Sequence, residues 1–508
     1  MKTQQNQSCR ALFNAVLLLV PCLAWTASAA TLTVTNSADS GPGSLRQAIA
    51  DAAASDTIAF DASLAGQTIT LTNGQLTVDK SLTIDAADLS ITIDGNGSHR
   101  IFEFASGTTN RLAGLTLTHG RATGPYFPGN SGGAIVLDSG ATLTITNSTL
   151  ANNAAYAGGG IYNQGTLTIL NSTLANNVAS LSGGGIYNDY YSTLTISNST
   201  LANNAAQYGG AIINFGFGTL TLQNTTLANN AANKTSYDSY PRGGGIDNDG
   251  GTVTVQNSTL ANNEADYEGG GIYNDGTLSL TNTIVAQNSS SSGPNIGNYV
   301  GSNITISHCL TNGVAQLAPL GNYGGPTQTM PPLPGSPAID AGDDSVTNFL
   351  ATDQRGFPRV VGSAVDIGAV EIQGVSDTES ILGSAWSTDN DGDGNPFGVE
   401  FALGTDWQTA DATNPANLAI RPTNGFPAVA FGLNPAATNY VQWVVYRSLD
   451  LAATNSFVEI YRYDGPTGMA YTNGVPVSVT VQSNLLQVID ESNPRPPAAF
   501  YRLGVNLP

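Results

Sequence analysis

The chain has 508 residues, of which 41% are apolar and only 10% are charged, and its formal net charge is −21. The apolar fraction is enough to fill a folded core, which excludes an intrinsically disordered chain. The shortage of Lys and Arg excludes nucleic acid as a partner, because phosphate binding needs clustered basic side chains. The acidic composition suits a protein outside the cell, and it suits the binding of divalent cations.

Residues 1–30 have the pattern of a secretory signal peptide. Two basic residues precede an apolar run from Leu12 to Trp25, and Ala27 and Ala29 fit the small-residue cleavage pattern. The alternative is a membrane anchor, but the run is shorter than the ~20 apolar residues that span a bilayer. We therefore expect a secreted protein, extracellular or on the outer cell surface, with no transmembrane segment in the mature chain.

Residues 31–75 precede a region of repeats and are predicted to form its N-terminal cap. A strand-like TLTV run is followed by SLRQAIADAAA, in which the apolar residues have helical spacing. Ser44 and Gln47 at its start have the pattern of a capping box. Because the first coil of a solenoid exposes strand edges and core, we expect a short helix here to cover it.

Residues 76–310 contain two alternating phrases, GGGIYN and NSTLANN, and between them lie runs such as TLTI and TVTV. A period of roughly 20–50 residues is typical of solenoids. Strict alternation in the TLTI runs indicates strands rather than helices. The sequence therefore predicts coils of about three short strands each, on GIYN, TLTI and STLA, stacked in parallel. The NSTLANN copies and their variants start at Asn147, Asn171, Asn198, Asn224, Asn257 and Asn282.

Stacking in register predicts three inward columns of aliphatic residues, while the alternating Thr residues face water. The Asn pairs after STLA are predicted at corners, where stacked amides bond to one another. Glycine triplets allow the other tight corner. The columns comprise Leu167, Leu194, Leu220, Val253 and Leu278; Leu174, Leu201, Leu227 and Leu260; and Ile161, Ile186, Ile212, Ile246 and Ile272.

The composition changes after the repeats. Residues 311–371 are rich in Pro and Gly and are predicted to cap the last coil. Residues 372–410 form a linker that contains DNDGDGNPFGVE, which matches the calcium-loop pattern D-x-D-x-D-G-x5-E. The alternative is a merely acidic linker. A structural calcium ion is the expected cofactor, and its predicted ligands are Asp389, Asp391, Asp393, the backbone carbonyl of Asn395 and a bidentate Glu400.

Residues 411–508 contain strand-like runs such as VQWVVYRS, FVEIYRY and VSVTVQS, separated by turn residues. This pattern predicts a small β-sandwich-like domain. The predicted fold class is therefore all-β, a parallel β-helix with an N-terminal helical cap and a C-terminal β-sandwich-like domain.

The GGxI and TLANN phrases resemble repeats of the pectate-lyase-like superfamily of right-handed parallel β-helices, and those of polymorphic outer-membrane proteins. SLRQA resembles a CSLREA-type N-terminal segment without its Cys. The segment that carries SPAIDAG, DQRG and DIGAVE is similar to the choice-of-anchor Q domain, and the calcium loop is similar to those of dockerins and thrombospondin type 3 repeats. The resemblance implies a right-handed β-helix but is a poor guide to activity.

Charged residues cluster between residues 237 and 275. Among them, Asp249 and Asp275 follow the GGGIxN phrases of neighbouring coils, and Asp247 stands where other copies have the outward Tyr. A calcium site with Arg242 as base is one interpretation, and a solvated acidic face is the favoured alternative. The aligned Tyr side chains of the GIYN phrases are predicted to face solvent, where they either stack on sugar rings or pack on one another. The candidate glycan-binding residues are these tyrosines and the three aspartates: Tyr162, Tyr187, Tyr273, Asp247, Asp249 and Asp275.

Three functions remain open on the sequence. The first is a non-catalytic adhesion or spacer protein that binds an extracellular glycan or a surface protein. The second is a polysaccharide lyase or glycoside hydrolase that acts on acidic glycans. The third is a structural matrix protein. The oligomeric state does not follow from the sequence.

Overall fold

The computed structural model describes residues 29–124, 129–234 and 240–374, parts of 377–381, and the backbone of eight strands between residues 419 and 506. In the first three ranges the chain forms a parallel β-solenoid in which four sheets run along the stack of coils. Sheet 1 has 11 strands on the TLTI-type runs: β1 (Thr31–Val34), β2 (Thr57–Phe60), β5 (Thr83–Asp85), β8 (Thr109–Ala113), β11 (Thr142–Thr146), β15 (Thr166–Leu170), β19 (Thr193–Ser197), β23 (Thr219–Gln223), β27 (Thr252–Gln256), β31 (Thr277–Thr281) and β35 (Asn303–Ser307).

Sheet 2 follows sheet 1 in each coil and carries the STLA-type runs. Its nine strands are β3 (Thr68–Thr70), β6 (Ile91–Asp94), β9 (Leu115–Thr118), β12 (Thr149–Ala151), β16 (Thr173–Ala175), β20 (Thr200–Ala202), β24 (Thr226–Ala228), β28 (Thr259–Ala261) and β32 (Ile284–Ala286). Sheet 4 carries the GIYN-type runs. Its nine strands are β4 (Leu76–Val78), β7 (Phe102–Phe104), β10 (Ile135–Leu137), β14 (Ile161–Asn163), β18 (Ile186–Asn188), β22 (Ile212–Phe215), β26 (Ile246–Asp249), β30 (Ile272–Asn274) and β34 (Ile296–Asn298).

Sheet 3 lies between sheets 2 and 4, so the expectation of three strands per coil is wrong for these coils. Its strands occupy the short stretch between the Asn corner and the glycine corner, where backbones of successive coils pair whatever the side chains are. The six strands are β13 (Ala154–Ala157), β17 (Val178–Ser182), β21 (Ala205–Ala206), β25 (Ala231–Ala232), β29 (Glu264–Glu268) and β33 (Ser289–Ser292).

The register of the sheets confirms the predicted stacking. Leu167 pairs with Leu194, and Ile161 pairs with Ile186, each one coil further along the chain. All members of the three predicted aliphatic columns are buried and belong to one continuous core. The Thr residues that alternate with them in sheet 1 lie on the outer face of the solenoid, as a side-chain period of two requires.

Two ladders of Asn side chains, buried except for Asn298 at one end, run parallel to the aliphatic core. In the predicted ladder, at the second Asn of each TLANN phrase, Nδ2 of Asn177 donates to Oδ1 of Asn204 at 3.0 Å. A second ladder at the Asn of GIYN was not foreseen, and there Nδ2 of Asn188 donates to Oδ1 of Asn214 at 2.8 Å. Buried amides need partners, and each rung supplies them to its neighbours. The ladders comprise Asn153, Asn177, Asn204, Asn230, Asn263 and Asn288, and Asn163, Asn188, Asn214, Asn248, Asn274 and Asn298.

The corner before sheet 4 depends on the first glycine of each triplet. Gly158 has φ +63°, and a Cβ atom there would lie 2.3 Å from the carbonyl oxygen of Ile161. Only glycine both adopts a positive φ without strain and lacks the Cβ atom that would clash here. The triplet therefore fixes the angle between sheets 3 and 4.

The N-terminal region joins the solenoid directly. Strand β1 pairs in parallel with β2 in sheet 1. Helix α1 (Leu45–Asp51) is present where it is predicted, and the Ser44 side chain accepts a hydrogen bond from the backbone N–H of Gln47. A 3-10 helix, Ala62–Leu64, follows. Leu45 and Ile49 are part of the continuous core, which accounts for the helix at this end of the coils.

Residues 311–371, here called the strap, lie along the side of the solenoid against sheet 2 rather than over its last coil, which corrects the predicted position of this segment. The strap contains one 3-10 helix, Asp344–Asn348. Thr226 in β24 donates to Oε1 of Gln354 at 2.7 Å, and the backbone N–H of Ala369 donates to Thr259 in β28 at 3.1 Å. The physical reason is that the outer face of these strands presents hydroxyl groups and small side chains that the strap covers.

Among the residues that the structure describes, none covers the last strand of sheet 1. Ile304 and Ile306 of β35 continue the inward columns of Leu278 and Leu280, yet both are exposed. Covering an end coil requires atoms beyond the last strand, and the strap does not lie there.

Eight antiparallel strands follow in two four-stranded sheets, and the runs predicted as strands coincide with β38, β39 and β41. The sandwich-like packing of the two sheets stays a prediction. The strands are β36 (Ala419–Thr423), β37 (Phe426–Gly432), β38 (Gln442–Ser448), β39 (Val458–Asp464), β40 (Met469–Thr472), β41 (Val477–Gln482), β42 (Leu485–Asp490) and β43 (Phe500–Asn506), in the orders β36-β37-β42-β41 and β40-β39-β38-β43.

Candidate functional site

A cavity of about 500 Å³ opens between sheets 3 and 4, next to the glycine corners, and is here called the groove. Side chains alternate along a strand, so the residues of sheet 4 that flank the core-facing Ile and the ladder Asn point away from the core. Those residues form one wall, and sheet 3 with the residues preceding the triplets forms the other. The groove is lined by Tyr156, Ala157, Leu181, Ser182, Tyr187, Tyr208, Ile213, Phe215, Arg242 and Asp249.

Arg242 closes one end of the groove. Its Nε lies 3.1 Å from Oδ2 of Asp247, and its Nη2 lies 3.2 Å from Oδ2 of Asp249. The guanidinium carbon also lies 4.5 Å from the ring centroid of Tyr273 and 5.7 Å from that of Tyr208. These cation–π and ionic contacts hold the arginine in one place across neighbouring coils.

Asp247 is fully buried beneath this arginine. Burial raises the pKa of Asp247 to about 7, while the attraction of Arg242 opposes the rise. Its Oδ2 accepts a hydrogen bond from Arg242, whereas its Oδ1 has no hydrogen-bond partner among the described residues. Asp249 is about one third exposed and faces the groove, so it is the carboxylate that a ligand can reach.

The structure corrects the expectation that all three candidate tyrosines face solvent. Tyr162 is 0% exposed, because its ring packs against Val136, Ala157 and Tyr187. Its hydroxyl donates to Asp189, and burial raises its pKa above the ordinary value. Tyr162 is therefore a packing residue rather than a sugar platform.

Tyr273 is 4% exposed and lies beneath Arg242, so the same correction applies to it. Tyr187 is half-buried and lines the groove, where burial raises the pKa of its hydroxyl. Asp275 is half-buried and is absent from the groove lining. Of the six candidate glycan-binding residues, Tyr187 and Asp249 thus reach the groove, and Asp247 and Tyr273 support Arg242 from beneath.

Sequence reasoning missed several aromatic residues of the groove and its rim. Phe215 lines the groove, 5.9 Å from the Tyr187 ring, at a position where Asp249 stands in the next coil. Tyr190, Tyr191 and Phe217 lie in the turns that follow β18 and β22. The signal was present as departures from the repeat, since most other copies have small or polar residues in these turns, the turn with Tyr299 and Val300 being the exception.

The arrangement favours binding over proton abstraction. Two carboxylates next to one guanidinium stabilise its protonated form, which opposes the role of Arg242 as a base. Among the described residues no group of three His, Cys, Asp or Glu side chains is arranged to hold a metal ion. The predicted calcium ligands Asp389, Asp391, Asp393, Asn395 and Glu400 lie outside the described residues.

Within the part of the chain that the structure describes, no helix has the length and apolar character needed to cross a membrane. Comparisons with curated proteins and with solved structures found no significant match. Residues 67–246 match a family model described as a right handed beta helix region. Together with the parallel register of its sheets, this match identifies the repeat region as a right-handed parallel β-helix.

Proposed function

We propose that this is a secreted or cell-surface β-helix protein that binds an extracellular glycan in the groove without cleaving it. The observation that carries the proposal is the lining of the groove, which combines the aromatic side chains of Tyr187, Tyr208 and Phe215 with the accessible carboxylate of Asp249. Aromatic faces pack on the apolar faces of sugar rings, and a carboxylate accepts hydrogen bonds from sugar hydroxyls. The long β-helix then acts as a rigid spacer that presents the groove.

Hydrolysis of a glycosidic bond usually needs two carboxyl groups on opposite sides of the bond. In the groove, Asp249 is accessible, while Asp247 is buried and bonded to Arg242. This difference supports a binding role over that of a glycoside hydrolase.

The decisive experiment measures binding and turnover on the same immobilised polysaccharides, both neutral and acidic. We expect retention of the full chain on at least one glycan, with no release of reducing or unsaturated ends. Tyr187→Ala should weaken binding about tenfold, as expected for loss of one aromatic contact. Tyr299→Ala is the matched control, because Tyr299 is exposed and lies outside the groove. Thermal unfolding of both variants verifies that each is folded.

Product release that is lost in Arg242→Ala would instead support a polysaccharide lyase. If the experiment detects no binding and no turnover, the result favours a structural matrix protein. Either outcome contradicts the proposal.

The calcium loop remains a separate proposal that rests on its sequence pattern alone. We propose that a calcium ion bound by Asp389, Asp391, Asp393, Asn395 and Glu400 braces the linker before the C-terminal strands. Calcium should raise the melting temperature of the C-terminal region, and Asp391→Ala should abolish the rise. A rise that persists in this variant would remove the loop as the site.

A further inference from the structure

An exposed aromatic patch lies beside the groove and consists of Tyr190, Tyr191 and Phe217. Their exposed fractions are 48%, 72% and 59%. The rings of Tyr191 and Phe217 are stacked with centroids 5.4 Å apart, and Tyr190 contacts both edge-on at 4.5 and 5.2 Å. Three large rings in water at one place are unusual on a surface made mostly of Thr, Ser and Asn.

The patch is continuous with the groove through Phe215. The Phe215 ring lies 6.5 Å from that of Tyr190 on the patch and 5.9 Å from that of Tyr187 in the groove. A ligand that leaves the groove at Phe215 therefore meets a further aromatic surface at once.

The backbone holds these rings in place at some energetic cost. Tyr191 has φ +60°, a conformation that is unfavourable for an aromatic residue. Gly216 has φ +61°, and a Cβ atom at this position would lie 2.1 Å from the Tyr190 ring. Each turn directly follows an Asn of the GIYN ladder, Asn188 or Asn214. The bond between these two side chains fixes the position of both turns on the solenoid. Strain of this kind commonly accompanies binding surfaces.

The charges around the surface indicate an uncharged ligand. Among the described residues that line the groove, Arg242 is the only cation, and it already forms ion pairs with two aspartates. The next carboxylate along this face is Asp189, which accepts hydrogen bonds from Tyr162 and Gln164. A polyanionic glycan would meet net negative charge here, whereas neutral sugar hydroxyls would meet acceptors.

We propose that the groove and the aromatic patch form one binding surface for a neutral oligosaccharide that is too long for the groove alone. This inference rests on the proposed glycan-binding function and adds the ligand's charge, its minimum extent and a second contact area. The patch residues contact only the sugar units that project beyond Phe215.

The test uses calorimetric titration of the full chain with cello-, manno-, xylo- and malto-oligosaccharides of two to six units, and with oligogalacturonides of the same lengths. We expect a neutral series to bind more tightly as its length increases, and the oligogalacturonides to bind at least tenfold more weakly. Phe217→Ala should weaken binding of the hexasaccharide about tenfold and leave the disaccharide within about twofold. Phe217→Tyr keeps an aromatic ring and should restore most of the hexasaccharide affinity that is lost in Phe217→Ala. Tyr299→Ala, outside the proposed surface, is again the exposed control.

The outcomes separate this inference from the function on which it rests. If a glycan binds but its affinity is independent of length, or unchanged in Phe217→Ala, the extended surface is wrong while the groove remains a glycan site. Tighter binding of oligogalacturonides overturns the assignment of a neutral ligand. If none of the glycans binds, in these series or on the immobilised polysaccharides, the glycan-binding function itself fails and this inference fails with it.

Discussion

Two stretches of sheet 2 have nearly the same sequence and very different surroundings. Strands β12 and β16 read TLA and leave their outer Thr and Ala partly exposed, whereas β20, β24 and β28 also read TLA and are buried on both faces. The strap covers the second stretch and leaves the first uncovered. The repeat therefore determines how a coil closes, while contacts far along the chain determine what its outer face touches.

The covered stretch is bound to the strap by polar groups as well as by apolar contact. Nε2 of Gln354 donates to the backbone oxygen of Ser199 and to Thr200, and Arg359 donates to Oδ1 of Asn224 at 2.7 Å. Ala228, Ala261 and other small residues pack against the apolar side of the strap. The difference in burial between the two stretches thus depends on specific hydrogen bonds, which single substitutions can remove.

The largest effect is expected from Arg359→Met, which should release the strap and so remove the difference between the covered and uncovered stretches of sheet 2. Arg359 is buried, bonds Asn224 and the backbone oxygen of Gly368, and lies among buried carboxylates. Removing one partner of such a buried charge cluster costs about 3–5 kcal/mol. Hydrogen exchange should then show lost protection of the backbone amides in the strap and in β20, β24 and β28, but not in β12 and β16. Arg111→Met, which removes an exposed ion pair with Asp85, is the control and should cost less than about 1 kcal/mol.

The Asn ladder at the TLANN corners passes through both stretches. Substitutions in it therefore test whether the strap changes the stability of the buried amide bonds. Asn204→Ala leaves the side chains of Asn177 and Asn230 without their bonds to the missing amide, and we expect a loss of about 3 kcal/mol in the free energy of unfolding. Asn177→Ala, in the uncovered stretch, should cost about the same. A markedly smaller loss at Asn177, measured by urea unfolding, would mean that the strap also stabilises the ladder.

The pH dependence of the strap follows from its buried carboxyl groups. Burial raises the pKa of Glu371 to about 8 and that of Asp366 to about 6. Both values lie above those of the unfolded chain, so the docked strap binds more protons and its stability falls as the pH rises from about 5 to 8. Each proton contributes at most about 1.4 kcal/mol per pH unit, so we expect a loss of about 2 kcal/mol between pH 6 and 7.5.

Melting curves at a series of pH values measure this dependence. Glu371→Gln should flatten it even if the variant is less stable at every pH, because one of the two titrating groups is gone. A stability of the strap that increases with pH over this range would contradict the assignment.

The smallest expected effect comes from a matched pair at one repeat position. Thr226→Val removes the donor to Oε1 of Gln354 and should cost about 1 kcal/mol. Thr173→Val, one of the uncovered equivalents, should change the free energy of unfolding by less than about 0.5 kcal/mol. Equal effects in thermal unfolding would indicate that Gln354 makes no net contribution to docking.

The sequence was sufficient to predict the coils because each inward column repeats one aliphatic type at one period. It was insufficient for the strap, since Thr226 and Thr173 are the same residue in the same phrase and differ only in a contact with residues more than a hundred positions away. For the site, the repeat placed Tyr187 and Asp249 correctly on the outer face. It left open whether Tyr162 and Tyr273 stack on sugars or pack on neighbours, because their burial comes from the neighbouring Ala157 and Arg242 rather than from their own strand.

The Asn ladders have a consequence for how such a chain changes in length over generations. Each interior Asn of a ladder accepts a hydrogen bond from the coil before it and donates one to the coil after it. The bond from Nδ2 of Asn230 to Oδ1 of Asn263 measures 2.9 Å although that coil carries an insertion at residues 233–242. Removing or duplicating one whole coil would restore the same contact at the junction, whereas a fraction of a coil would leave amides unmatched. Unequal recombination between near-identical repeats can therefore vary the number of coils freely, while extra residues are tolerated at the outer corners.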